Sequence, residues 1–367
     1  MTGTGSSRLS GSLSRAVAGL LAVAGIGGPA IGCSPARQPD APRWKLTSQA
    51  EPLVAAPGLR ARIFAALDAA EKAGTDPSLS KFQVRAATVI EHDGARREIV
   101  GGNSEYAGLP EAIHGETSLL NHVINAVGPD EARRAVDFIA FHSQHCGGGG
   151  SCGDCRDYLM TTTRWQDLLV VCGQASDHSV HVERFAKGIV GEDQFPEVAL
   201  SAIGLPARRV DELARAAAEA RRGGVSLFTS EAEHLGVAAL TTTGRIYRAA
   251  GADDAAFHYR YPVGAVLQQA ATYRDYFVQA VVVAGAAGRL PRLSYRDRQY
   301  GYEFSSFNRK RGLEPIRLIL VEEAPGAEPQ ALRYRLTTFE DALPGAFSAT
   351  DFMPDAVDRF LDRGPGR

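Results

Sequence analysis

In the stretch LRARIFAALDAAEKAG that follows Pro57-Gly58, Leu59, Ile63, Phe64, Leu67 and Ala70 fall on one face at helical spacing, which predicts a helix. The pattern then shifts to short apolar runs. Residues 82–90 read as a strand, His92-Asp93-Gly94 as a turn and residues 97–100 as the returning strand. A Gly-rich loop covers 101–110, and a helix from about residue 114 to 127 stops before Gly128-Pro129. Residues 136–142 predict a strand, 146–152 a loop, 156–162 a helix and 168–172 a buried strand. Strands alternating with helices imply a layered α/β sheet. A further helix over 210–222 is charged on one side and Ala/Leu-rich on the other. After it the pattern restarts: residues 237–241, a Thr243-Gly244 turn and Ile246-Tyr247 echo the hairpin of 84–100, which points to an internal duplication.

Composition narrows the class. The chain has 367 residues, 44% hydrophobic and 22% charged, enough for two domains of about 150 residues each. Forty Lys+Arg against 42 Asp+Glu leave a net charge of -2, so wholesale nucleic-acid binding is not expected. Five cysteines exclude a disulfide-dense secreted scaffold. Arg8 and Arg15 precede an apolar run over 16–32 that ends at Cys33, the order of a signal peptide, and Ala30-Ile31-Gly32-Cys33 loosely matches a lipoprotein box. The bland reading of that stretch is a disordered extension. The expected location is therefore the cytoplasm, with export as a lipoprotein processed near Cys33 as the alternative. Residues 34–57 carry five prolines and read as a linker. The resulting division is an extension over 1–52, a helical segment over 53–80, a first domain over 81–200, a helical linker over 201–224, a second domain over 225–350 and a tail over 351–367.

The candidate chemistry lies in the first domain. His114-Gly115-Glu116 opens a predicted helix, and Ser151-Cys152-Gly153-Asp154-Cys155 follows downstream. His114, Cys152 and Cys155 supply one imidazole and two thiolates. A structural zinc site closes with four protein ligands, whereas a catalytic one keeps three and leaves a position for water. A loop entering a helix favours thiolates at its N-terminus. Glu116, two residues past the ligand on the same turn, can face the bound water. This H-x-E…C-x-x-C arrangement is the zinc deaminase signature.

The chain resembles the cytidine deaminase family, whose short form reads N-V-E-N-A-S-Y, then C-A-E, then P-C-G-A-C-R. Here Asn103-Ser104-Glu105-Tyr106-Ala107 stands eleven positions before His114, and Cys152-Gly153-Asp154-Cys155-Arg156 follows. The resemblance covers about residues 80 to 190, with a weaker echo to about 340. It implies a three-layer α/β/α cytidine-deaminase-like sandwich with a mixed central sheet, duplicated. It also implies Zn2+ on His114, Cys152 and Cys155, with Glu116 as the catalytic acid/base. Asn103 and Glu105 match the residues that hydrogen-bond the ribose, and the backbone at Gly115 would lie near the base. The implied partner is a small-molecule nucleoside, without nucleic acid, and a homodimer is expected.

Placing Ala252 on Asn103 puts Val263 on His114, Ala265 on Glu116 and residues 291–297 on 151–157. The second copy then lacks metal ligands, as in the long cytidine deaminases, where a silent C-terminal module supports the live one. Departures remain: Ser151 stands where Pro is usual, Gly115 replaces Ala, and Asp154 adds a charge that could alter the substrate. A closed structural zinc, completed by His145 or Cys146, is the bland alternative. His122, His142, His178 and His181 read as ordinary polar or packed residues, Cys172 as a core thiol and Arg309-Lys310-Arg311 as a solvated turn. The competing functions are a catalytically silent zinc-binding scaffold and a deaminase of a modified or non-nucleoside amidine.

Overall fold

The computed structural model describes residues 43–78, 80–105, 112–143, 146, 151–225, 234–253, 259–323 and 332–362. The signal-like segment and Cys33 therefore lie outside the described residues.

The first half is built from α1 (Leu59–Lys72), α2 (Gly115–Val127), α3 (Pro129–Ala135) and α4 (Gly153–Thr162) around strands β1 (Lys45–Leu46), β2 (Asp76–Pro77), β3 (Arg85–His92), β4 (Ala95–Gly102), β5 (Ser104–Glu105), β6 (Phe138–Ser143), β7 (Leu169–Gln174) and β8 (Ser179–Arg184). Its main sheet runs β1-β8-β7-β6-β3-β4, and β2 pairs separately with β5. β3 turns into β4 through Asp93 and Gly94, whose φ angles of 51° and 71° suit the two-residue hairpin of a right-twisted ribbon. β6 and β7 are parallel and the other pairs of β3, β4, β6, β7 and β8 antiparallel, so the sheet is mixed.

Alternation along β3 sends Ala87 and Val89 to α1 and Ala86 and Ile90 to α2 and α4. Ile63, Leu67 and Ala70 of α1 fill the first layer contact, and Leu119, Leu120 and Val123 of α2 the second. The result is helix, sheet, helix. α2 crosses β4 so closely that a Cβ at Gly101 would lie 2.3 Å from Leu119 N. Residues 43–52, grouped by sequence with the extension, enter this fold: β1 adds an edge strand beside β8, and Trp44 and Ala50 are buried under α1. Their prolines and charges hid a contribution that rests on one indole and two paired residues.

The second half repeats the plan with α5 (Ala207–Arg222), α6 (Pro262–Thr272), α7 (Tyr295–Lys310), α8 (Phe339–Ala342), α9 (Ala349–Phe352) and α10 (Pro354–Asp362). Its strands are β9 (Glu197–Val198), β10 (Gly236–Thr241), β11 (Ile246–Ala250), β12 (Ala252–Asp253), β13 (Tyr259–Arg260), β14 (Val278–Ala284), β15 (Arg317–Glu323) and β16 (Leu332–Thr338). The main sheet runs β11-β10-β14-β15-β16-β9. From β11 to β16 the pairing senses are antiparallel, antiparallel, parallel, antiparallel, matching β4 to β8 in order and sense. Two sheets of one topology suggest a duplication. α5, expected as a linker, is the outer layer of the second sheet, burying Val210, Leu213 and Ala217 as α1 does in the first. The expected C-terminal tail contains α10, whose Val357 and Leu361 enter the core on the other face.

The chain from Arg43 to Arg367 forms one compact unit. Its halves meet at the N-termini of α4 and α7. Asp157 of α4 accepts hydrogen bonds from Tyr295 N and Arg296 N, both at 3.0 Å, and Gln299 Oε1 of α7 accepts from Gly153 N at 3.2 Å. Each helix thus satisfies first-turn amides of the other. A Cβ at Gly153 would lie 2.0 Å from the Tyr295 carbonyl oxygen, so this approach needs glycine. Gly153→Val should therefore cost about 1–3 kcal/mol in chemical denaturation; an unchanged midpoint would show that the two helices do not meet this way.

Candidate active site

His114 caps α2 and Cys152 caps α4, each with extended backbone, so the two helices begin side by side. His114 Nδ1 lies 3.1 Å from Cys152 Sγ and 3.2 Å from Cys155 Sγ. Among the described residues, these three form the one group of His, Cys, Asp or Glu that could hold a metal ion. Both cysteines are buried and unpaired. One imidazole and two sulfurs suit a borderline-soft ion, and three donors leave a coordination position for water or substrate. In the metal-free chain, hydrogen bonding first from Cys155 and then from His114 pulls the Cys152 thiol down to about 6. The Cys152 contact pushes His114 up to about 9, while burial holds Cys155 well above the usual thiol range. Hydrogen bonding within the group thus favours the thiolate at Cys152 and the imidazolium at His114.

A cavity of about 260 Å³ opens beside this group. Glu116, 7% exposed on the first turn of α2, lines it together with His114, Gly115 and Cys152. Asn103 and Glu105, expected to hold the ribose, line it too, and their side chains are already engaged. Asn103 Oδ1 accepts from Val84 N at 2.9 Å, and its Nδ2 donates to Phe82 O at 2.8 Å. Glu105 accepts from Ser80 N and from the Ser80 hydroxyl, at 2.7 and 2.5 Å. The pair therefore ties down residues 80–84, which form one wall. Sequence reasoning missed Phe82 and Phe347 on that cavity, whose rings lie 6.5 Å apart. Phe347 comes from the second half, held by Gln299 Nε2 donating to its carbonyl at 2.8 Å, and no local motif announces such a contact.

Three expectations change. Cys172 is not a core thiol: the alternation of β7 turns it away from buried Val171 and towards the cavity, where it forms a disulfide with Cys146, 26 positions away. With its sulfur so engaged, Cys146 is not a free fourth ligand; His145 and the 147–150 glycines lie outside the described residues. Asp154 does not line the cavity but pairs with Arg296 of α7 at 3.0 Å. Arg309, Lys310 and Arg311 pair with Glu340, Asp358 and Asp362, fastening α7 to α8 and α10 instead of forming a solvated turn.

The second half also takes a different register. Tyr261 caps α6 and Ser294 caps α7. Counting from these caps sets Tyr261, Val263, Ser294 and Asp297 against His114, Glu116, Cys152 and Cys155, two residues away from the sequence alignment in each helix. The absence of a metal group there holds among the described residues in either register. Asp297, buried, instead accepts a hydrogen bond from Val263 N at 2.8 Å, joining α7 to α6. Burial pushes its carboxyl up to about 7.

Neither any family model nor any curated protein matches the chain. Among solved structures it is similar to the cytidine deaminase from Burkholderia pseudomallei, with 26% identity and a TM-score of 0.28 over 35% of this chain and 93% of that one. The cytidine deaminase from Mycobacterium leprae gives 22% identity and 0.24 over 35% and 93%, and that from Mycobacterium tuberculosis 19% and 0.23 over 33% and 85%.

Elemental analysis tests the donor set. Changing Cys152 and Cys155 together to Ala should abolish metal binding, whereas Cys146→Ser should retain it and lower stability by about 3 kcal/mol through loss of the cross-link. Metal lost with Cys146→Ser alone would point to a closed structural site.

Proposed function

We propose that the chain is a zinc-dependent hydrolytic deaminase of a free cytosine nucleoside or a related aminopyrimidine nucleoside. The observation that carries the reading is the grouping of His114, Cys152 and Cys155 at the edge of a cavity that Glu116 also lines. The residues fit Zn2+: two sulfurs and a nitrogen, gathered without a fourth protein donor among the described residues. Bound there, zinc would lower the pKa of water towards neutrality. Glu116 would pass one proton of the attacking water to the ring nitrogen, where it stays, and the other to the departing amine. Oxygen adds to the amidine carbon, the C–N bond breaks, and ammonia leaves behind a carbonyl.

The sugar falls to Asn103 and Glu105. Asn103 keeps one N–H beyond the one it gives Phe82, and Glu105 lines the same cavity. Gly115 opens α2, where the first amides lack intrahelical acceptors and can meet the base. The second half is a duplicated copy that has given up its donors and supports the first through α7 and Phe347. A nucleoside substrate and a homodimer belong to the same proposal.

No helix among the described residues is long and apolar enough to cross a membrane. The Cys146–Cys172 disulfide favours export over the cytoplasm, because such bonds persist in oxidising compartments.

The test is ammonia release by the zinc-loaded chain from a nucleoside panel. Glu116→Gln keeps the shape of the side chain but cannot accept the water's proton, so turnover should fall by at least about 10²–10⁴-fold with zinc retained. Equal turnover by variant and parent would remove Glu116 from the mechanism.

A further inference from the structure

Among the described residues, several buried side-chain polar atoms have no hydrogen-bond partner, and of these only Ser151 Oγ belongs to a residue lining the cavity. Ser151 is 5% exposed and is peptide-bonded to Cys152, so it stands at the metal end of the cavity. Its main chain is fixed: Arg156 Nε donates to its carbonyl at 2.8 Å, and the same guanidinium holds Gly188 O at 2.6 Å and Pro344 O at 2.7 Å. The hydroxyl has no comparable commitment. By contrast, Ser80, Asn103 and Glu105 bond to one another's segments, and His114 and Cys152 face each other. Buried hydroxyls are normally paired, so an unpaired one on a residue of the cavity wall is a donor and acceptor with capacity to spare for a ligand.

We infer that Ser151 is a specificity residue whose Oγ accepts a hydrogen bond from the exocyclic amine that water displaces. The inference rests on the deaminase reading and assigns this chain a contact that a proline at the same position could not make. A hydroxyl discriminates here against a substituent such as chlorine, which neither donates a hydrogen bond nor accepts one well. Selectivity of this kind comes from leaving a buried polar partner unpaired when the wrong group is bound.

The experiment compares the zinc-loaded parent, Ser151→Ala and Ser151→Thr on cytidine and on its analogue with chlorine in place of the 4-amino group, with zinc content and Tm recorded for each. Ser151→Ala should lower kcat/KM for cytidine about tenfold and leave the analogue within about threefold of the parent. Ser151→Thr, which keeps the hydroxyl, should recover most of the cytidine activity and also serves if the alanine variant folds poorly. Equal losses on both substrates, or no loss on cytidine, would overturn the Ser151 assignment while leaving the deaminase reading intact. A parent inert on both substrates and on the whole nucleoside panel would overturn the deaminase reading itself, and the assignment with it.

Discussion

The first turns of α4 and α7 meet with room for a hydrogen atom, but not a methyl group, at Gly153. Much of the site follows from this constraint. α4 carries Cys152 at its cap and Cys155 one turn in, so whatever fixes the start of α4 fixes both sulfurs. That start is held by Gln299 and Arg296 of α7 and, through Asp157, by the α7 amides. Arg156 extends the same clamp to the segments at Gly188 and Pro344, and Arg298 makes the corresponding reach to Val190 and Ala342. Both arginines are almost fully buried, and their cost in desolvation is offset by these carbonyls and, for Arg298, by the buried carboxylate of Glu192.

The two halves solve one local problem in two ways. In each, a pair of helices begins side by side on the same face of a mixed sheet. In the first half, His114, Cys152 and Cys155 gather where the helices start. In the second, Asp297 accepts directly from the Val263 amide, so the helices are joined without any metal. The second half is accordingly a well-packed partner: its α7 buttresses α4, and its Phe347 faces Phe82 across the cavity.

Much of this was legible in the sequence where a single residue type has few physical uses. The His/Glu and Cys/Cys pairs, the Asn103 and Glu105 positions and the Asp93-Gly94 turn announced themselves by spacing, although the segment expected as a loop from 101 holds the end of β4 and then β5. The alternation of β3 and the helical face of α1 did so by periodicity. What escaped was non-local. Phe347 reaches the cavity only because the halves pack together, and Asp154 acquires its role from Arg296, 142 positions away. Cys172 sits in an apolar run that looks like core until the partner at Cys146 is known. The repeat register slipped by two because the hydrophobic echo fixes strands better than helix caps. α5 and α10 were read as linker and tail because half of each is charged, although the buried half decides where each packs.

The central claim is an open metal site held by one imidazole and two thiolates. Zinc K-edge absorption spectroscopy on the full, metal-loaded chain reads the donor set directly. The account predicts two sulfur and two nitrogen or oxygen scatterers, one of the light ones exchangeable with solvent. Three or four sulfurs, or a closed shell of four protein donors, would contradict it.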